Sequence, residues 1–366
     1  MFDPPLIGPT DDETLSNAQG NRRVSLRMSL LNRVIHVACW LTPAIIPRLP
    51  RSVVLGLAVL LGHLAYLCMG RRRKRIAFAN LAVAFGDSLS MRAKRRIFRK
   101  SMCNLVRVAL DLIWFSRDRE RRIEQYVWFD DSCDDWFTKN PAIGVSAHFG
   151  NWEVLNHGLA ILGKIALAIP YAPPHDPVVR RFLEQLRAGT QTLFVPRDGA
   201  GDALWNALIE ERRTVAMLLD QNELPVRGGG FVNFFGLPVP APLGAARLAQ
   251  WSGLPIVAVF CVPDVRGRYR ISVRTPDFSS DQPDSQSDPT FVTQRIMDVI
   301  EEEIRHRPEL WMWIHRRWNY IPFGEVSFSK YPFYAQKVII PRNLISRSRR
   351  QAARSLETAD VPSKAA

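Results

Sequence analysis

The sequence contains no CxxC pair, and its five cysteines, Cys39, Cys68, Cys103, Cys133 and Cys261, are odd in number and scattered. That pattern argues against a disulfide framework and a thiolate zinc site, and it fits buried thiols in a reducing compartment. HExxH is missing too. His148, Glu153 and His157 do not have that spacing and no further ligand cluster accompanies them, so no metal is expected. No basic stretch near the N-terminus runs into an apolar segment with a small-residue cleavage site, so no secretory signal is expected. Acid is nearly absent from one long segment: over residues 22–107, eighteen Lys and Arg face a single acidic residue, Asp87, in a chain of net charge +14. A segment this basic implies a polyanion, either nucleic acid or an anionic membrane surface. No nucleic-acid reader motif is present, and the apolar runs within the same segment favour the membrane.

Those runs divide the N-terminal region. Residues 1–21 are polar, proline-containing and acidic at Asp11, Asp12 and Glu13, and are expected to form a disordered leader. Residues 22–75 read as membrane-associated helices with a basic flank: 34–46 is apolar with a kink at Pro43, and 53–69 is an uncharged run of seventeen residues. A bilayer core asks for about 20, so a span, an interfacial helix pair and a buried hydrophobic hairpin of a soluble domain all remain open. Arg71, Arg72, Arg73, Lys74 and Arg75 follow at once, which predicts a cytoplasmic location for what comes after.

Residues 76–321 have the pattern of one α/β domain. Residues 75–115 are helical, broken at 86–90 where Ser90 offers a cap, and Arg92, Lys94, Arg95, Arg96, Arg99 and Lys100 make a basic face without acid partners. Beyond residue 142, short apolar strands (165–169, 192–195, 214–219, 256–261, the last paired with 269–274) alternate with helices (178–186, 202–211, 244–251, 290–306). This alternation predicts a mixed sheet flanked by helices, with polar residues at strand ends building the site. Residues 322–366 are basic and Ser-rich and are expected to be a disordered tail.

VSAHFGNWE, at 145–153, is the stretch with chemistry in it. Apolar residues lead in, Gly150 and Asn151 supply a tight turn, and an apolar helical run follows. His148 therefore ends a strand and Glu153 lies in the first turn of a helix, so the turn lets imidazole and carboxylate meet. A carboxylate that fixes the tautomer makes the histidine a better general base toward a hydroxyl. The same pair also arises by chance at strand ends, so its weight depends on what accompanies it.

Its company is Arg187, DQN at 220–222, GFVNFFG at 230–236 and PELWMWIHRRW at 308–318. With these in order, the chain from about residue 31 to about 321 resembles the late (secondary) acyltransferases of lipid A biosynthesis, within the lysophospholipid and glycerolipid acyltransferase superfamily. The resemblance implies a glycerolipid acyltransferase-like α/β fold with an N-terminal helical membrane anchor, at the inner membrane with the catalytic domain facing the cytoplasm. It implies transfer of a fatty acyl group from acyl carrier protein, or acyl-CoA, to a hydroxyl of a lipid A precursor. A thioester is already activated, so no cofactor is required; a base and an oxyanion stabiliser suffice. His148 is expected as base and Glu153 as its orienter. Arg187 and Arg197 are candidates for the oxyanion or a phosphate, and Asp220 matches a family position at a strand end. Asn151, Arg316 and Arg317 complete the expected substrate contacts. Partners implied are acyl carrier protein, anionic membrane lipid and the lipid A precursor, with no nucleic acid. The chain departs from the family at Ala172, between Tyr171 and Pro173, where Arg is common, and at Leu243 and Leu310, where Thr and Gln are usual. These departures leave another glycolipid, a lysophospholipid or an aminolipid open as acceptor, or a non-catalytic membrane-surface protein of the same fold.

Overall fold

The computed structural model describes residues 32–33, 35–134, 141–279, 287–322 and 328–337; the expected leader and the end of the tail lie outside them. Helix α1 covers residues 35–45. It is followed by α2 (Arg51–Cys68), α3 (Arg71–Phe85) and α4 (Met91–Trp114). Ser90 caps α4 as expected, its Oγ accepting from the Ala93 N–H at 3.3 Å. The expected boundary at residues 75 and 76 falls inside α3. No break separates the apolar helices from the rest: Ile46, Val54 and Ala58 share one core cluster with Val127, Val257 and Ile271 of the sheet.

α5 (Arg119–Tyr126) leads into a seven-stranded sheet of order β1-β9-β8-β2-β5-β3-β4. Its strands are β1 (Val127–Phe129), β2 (Ile143–Ser146), β3 (Leu167–Tyr171), β4 (Thr192–Pro196), β5 (Thr214–Leu218), β8 (Ile256–Pro263) and β9 (Tyr269–Arg274). Neighbours are parallel except β8 and β9, which pair antiparallel, so the sheet is mixed. The central strand β2 reads Ile-Gly-Val-Ser and is buried along its whole length, as a parallel strand covered on both faces must be. α6 (Trp152–Ile161), α7 (Pro177–Arg187), α8 (Ala200–Ile209), α9 (Gly244–Ser252) and α10 (Pro289–His306) flank the sheet.

Two features were not expected. The GFVNFFG stretch forms a separate antiparallel hairpin, β6 (Gly229–Phe234) with β7 (Leu237–Pro242). Residues 328–337, assigned above to a disordered tail, fold back on the domain: β11 (Gln336–Lys337) pairs with β10 (Tyr320–Ile321). Tyr331 donates its hydroxyl to the Pro238 carbonyl at 2.8 Å, and the Tyr334 hydroxyl donates to Asn80 Oδ1. Aromatic side chains with a polar tip find buried partners here, which a basic average composition conceals.

Candidate active site

β2 and β5 run side by side and parallel, with Ser146 opposite Leu218. Two residues beyond that pair come His148 and Asp220, so the strand register itself brings an imidazole to a carboxylate at the C-terminal edge of the sheet. His148 Nδ1 lies 2.8 Å from Asp220 Oδ1. An ionised carboxylate only accepts, so Nδ1 carries the proton and Nε2 holds the lone pair. The Gln221 side-chain amide donates to that nitrogen at 3.3 Å. Asp220 Oδ2 accepts the His148 backbone N–H at 3.0 Å and the Trp311 indole N–H at 2.8 Å.

Three donors thus hold a carboxylate that is almost fully buried. Burial alone would raise its pKa, but the His148 charge and the hydrogen bonds prevail and hold Asp220 well below the usual carboxylate range. For His148 burial alone would disfavour the imidazolium; the Asp220 charge and hydrogen bond, with a smaller contribution from Glu153, outweigh it and raise the pKa.

Asp220, expected among the substrate contacts, is instead the buried partner of His148 and does not line the cavity, and the pairing expected for Glu153 is corrected with it. Glu153 does not hold the His148 ring; it forms a bidentate pair with Arg187, at 3.0 Å to Nε and 2.5 Å to Nη2. The physical reason is reach and geometry: the neighbouring strand end supplies Asp220 in the plane of the sheet, while the first turn of α6 faces the last residue of α7. The Arg187 guanidinium is also stacked near Tyr171 and Phe194, 5.3 and 5.4 Å from their ring centres.

The turn carrying His148 is braced from three directions. At Gly150 φ is 61°, and a Cβ there would run into the Cys261 carbonyl, so the turn requires glycine. The Gly150 N–H donates to Leu310 at 3.0 Å, and Phe149 bridges to Trp311. Asn104 of α4 donates to the carbonyls of Gly150 and Leu310 at 2.9 and 3.3 Å. The tryptophan-rich segment is thus a strap across the turn, and Trp311, Trp313 and Trp318 are core residues.

Asn151, expected to touch substrate, is fully buried and caps α6, its Oδ1 accepting from the Val154 N–H at 3.1 Å. Its Nδ2 donates to Asp111 and to the Tyr269 hydroxyl, each at 3.0 Å. Asp111 in turn accepts from Arg51 at the start of α2, which ties the apolar helix to the turn through buried polar contacts. Arg317 is corrected as well: it is fully buried, donating to Asn222 Oδ1 at 3.0 Å and Pro240 O at 2.7 Å. Burial lowers its pKa to about 10. Arg316 points elsewhere, its guanidinium 6.0 Å from the Tyr334 ring centre. Neither arginine lines the cavity that His148 faces.

That cavity measures about 800 Å³. Leu155, Leu159, Ile169, Phe194, Leu218 and Leu248 give it an apolar wall, and His148, Glu153, Arg187, Arg197 and Gln221 also line it. Arg197 follows β4 and is half-exposed. Gly144 of β2 lines it too, and a Cβ there would meet nothing nearer than the Val215 carbonyl, at 3.9 Å. Gln221 and Trp311 as partners of the His148–Asp220 pair were missed from sequence; DQN as a motif was the signal for the first.

The model of the bacterial lipid A biosynthesis acyltransferase family matches residues 24–320. The chain belongs to this family. It is an acyltransferase. Among its relatives, the lipid A biosynthesis lauroyltransferase of Escherichia coli (strain K12) is 26% identical over 312 residues, covering 80% of this chain and 96% of that protein. The lipid A biosynthesis palmitoleoyltransferase of the same organism is 25% identical over 292 residues, covering 76% and 89%. A solved structure, the 1-acyl-sn-glycerophosphate acyltransferase PlsC of Thermotoga maritima, is similar at 16% identity and a TM-score of 0.31, covering 70% of this chain and 98% of that one.

Proposed function

We propose that this acyltransferase moves a fatty acyl group from acyl carrier protein to a hydroxyl of a lipid A precursor at the cytoplasmic face of the inner membrane. One observation carries the reading: an imidazole with Nδ1 held by a buried carboxylate turns Nε2 toward an apolar cavity. Nε2 takes the proton of the acceptor hydroxyl as its oxygen attacks the thioester carbonyl. The tetrahedral oxyanion meets Arg187, whose Nη1 has no protein partner among the described residues while Glu153 fixes the other edge of the guanidinium. Collapse re-forms the carbonyl, breaks the carbon–sulfur bond and expels the thiolate, which takes the proton from the imidazolium. Asp220 stays ionised throughout, and no covalent enzyme intermediate or cofactor is needed.

The membrane part of the reading rests on α1 and α2. α2 is 18 residues long with a mean hydropathy of 1.7, enough by length and composition to cross a membrane. Yet it packs lengthwise on α4: Val54, Ala58 and Gly62 are buried, and a Cβ at Gly62 would meet the Cys103 backbone. Arg51, at its first position, is buried against Asp111. Opposite that contact it exposes Val53, Leu60, Leu61, Leu64 and Leu67, and α1 exposes Trp40 and Leu41. A helix glued along one side to a basic helix, with leucines on the other, suits lying in the interface of an anionic leaflet.

The test is transfer from radiolabelled acyl–acyl carrier protein to a tetra-acylated lipid A precursor in detergent. The intact protein is expected to transfer, and His148→Ala to lose nearly all of it. Transfer that survives the substitution would remove His148 as base; transfer only to other lipids in a panel would change the acceptor.

A further inference from the structure

The cavity is lined by two arginines that acyl transfer does not use. Gly244, Arg247, Leu248 and Trp251 recur at the spacing of one helical face, and all four line it, so α9 turns Arg247 inward. Arg227 lines it from the end of a short 3-10 turn (Pro225–Arg227). The two are tied together: Arg247 Nη1 donates to the carbonyl of Gly228, the residue next to Arg227, at 2.8 Å. Gly228 has φ 93°, and a Cβ there would lie 3.2 Å from Arg247 Nη1, so the loop is shaped to bring its backbone onto that guanidinium.

What these cations lack is an anion. Among the described residues neither Arg227 nor Arg247 has a carboxylate within 4.0 Å, and Arg197 has only Asp198, at 3.8 Å and almost fully exposed. Of the carboxylates lining the cavity, Glu153 is taken by Arg187, and Glu223 pairs with none of the three. Positive charge therefore exceeds negative at this wall. The paired N–H donors of guanidiniums that line one cavity match the oxygens of a phosphate.

We infer that Arg227 and Arg247 form a phosphate-binding subsite of the substrate cavity. The inference rests on the cavity's being the acyl-transfer site, and it names the group that site recognises besides the acyl chain. A phosphate can come from two sources: an ester on the sugar acceptor, or the phosphodiester arm of the acyl carrier. Both are recognised by the same chemistry, and the bound phosphate would fix how far the reacting carbon lies from His148.

Two measurements test it, one independent of turnover. In the first, the intact protein in detergent is treated with phenylglyoxal, with and without inorganic phosphate or pyrophosphate, and modified arginines are mapped by mass spectrometry. Protection of Arg227 and Arg247, but not of exposed Arg95 and Arg96, is expected. In the second, Arg227→Gln, Arg247→Gln and the double variant are assayed for transfer, with thermal melts to confirm folding. KM is expected to rise by at least about tenfold for the phosphate-bearing substrate, with kcat little changed and Arg247→Lys recovering part of the loss. If the penalty vanishes with a dephosphorylated acceptor, the sugar phosphate is the ligand. If it vanishes with an acyl thioester lacking the phosphate arm, the carrier is. A penalty equal for every substrate, or no protection of either arginine, overturns the subsite. Should the wild type acylate none of the acceptors while protection still occurs, the proposed function fails and the subsite stands.

Discussion

Replacing Asp220 by Asn separates the two carboxylates that could support His148. Asp220 accepts from three donors: His148 Nδ1 on Oδ1, and the His148 backbone N–H and the Trp311 indole on Oδ2. Asparagine has one acceptor oxygen and one NH₂ group. Its best arrangement gives the oxygen to the two donors on the Oδ2 side and turns NH₂ toward Nδ1. The imidazole must then accept at Nδ1 and carry its proton on Nε2, the nitrogen that should be free to take one. A wrong-tautomer histidine in a comparable base–carboxylate pair costs about 10⁴-fold in kcat, and a general base as a whole supplies about 10² to 10⁴. We therefore expect Asp220→Asn to lower kcat by about 10³ to 10⁴ with KM little changed. Glu153→Gln is the matched control. It leaves the tautomer intact and loosens Arg187, so it lowers kcat less.

The pH dependence carries the sign of the same argument. The base form of His148 is the neutral one, and its pKa is raised, so wild-type kcat/KM should rise with pH through an apparent value above ~6.5. Loss of the Asp220 charge should move the acid limb of the residual activity to lower pH, whereas loss of the Glu153 charge should move it only slightly. Stability follows by linkage. The raised His148 pKa contributes fully below ~6.5 and is lost as pH rises through the folded value; the depressed Asp220 pKa contributes above ~3.9 and is lost as pH falls. The Tm gap between wild type and Asp220→Asn should thus be widest between roughly pH 4 and 6.5 and narrow on both sides. An Asn variant within about tenfold of wild type, or a Glu153→Gln variant that shifts the acid limb more, would refute the assignment.

Other substitutions probe the remaining parts. Gly144→Met fills the cavity from β2, where a Cβ makes only ordinary contact with the Val215 carbonyl, and should shift donor preference toward shorter acyl chains at ~0.8 kcal/mol for each methylene excluded, read by competition among donors of graded length. Asp111→Ala leaves Arg51 buried without its anion and should destabilise by about 3–5 kcal/mol, measured by denaturant unfolding. Leu60→Glu with Leu64→Glu changes only the exposed side of α2 and should abolish sedimentation with anionic vesicles while leaving Tm nearly unchanged. Gly62→Val should do the reverse, lowering Tm because its side chain is driven into the Cys103 backbone.

Why Glu153 looked like the orienter and Asp220 did not is a matter of which distances a sequence encodes. Five residues separate His148 from Glu153, and a glycine turn between them makes contact conceivable; seventy-two separate His148 from Asp220, and nothing local relates them. Local devices were legible for the same reason: Ser90 as a cap, the helix of 289–306, and the strand–turn–helix around Gly150 all depend on neighbours within a turn or two. Strand order does not. Once β2 lies beside β5 in parallel, with Ser146 opposite Leu218, the equal two-residue overhang makes the His148–Asp220 contact unavoidable. The same holds for Arg317, whose basic side chain in a tryptophan-rich run was expected to touch substrate. Its burial was decided by the β6–β7 hairpin, formed more than seventy residues away, which offers it the Pro240 carbonyl. α2 is the converse case. Its apolar run was plain, but composition alone cannot tell a helix surrounded by lipid from one with a single side against protein. Gly62 and Ala58 were the available signal, since small residues four apart on an apolar helix permit close approach of a partner backbone. That approach anchors α2 to α4, α4 to the Gly150 turn through Asn104, and the turn to His148.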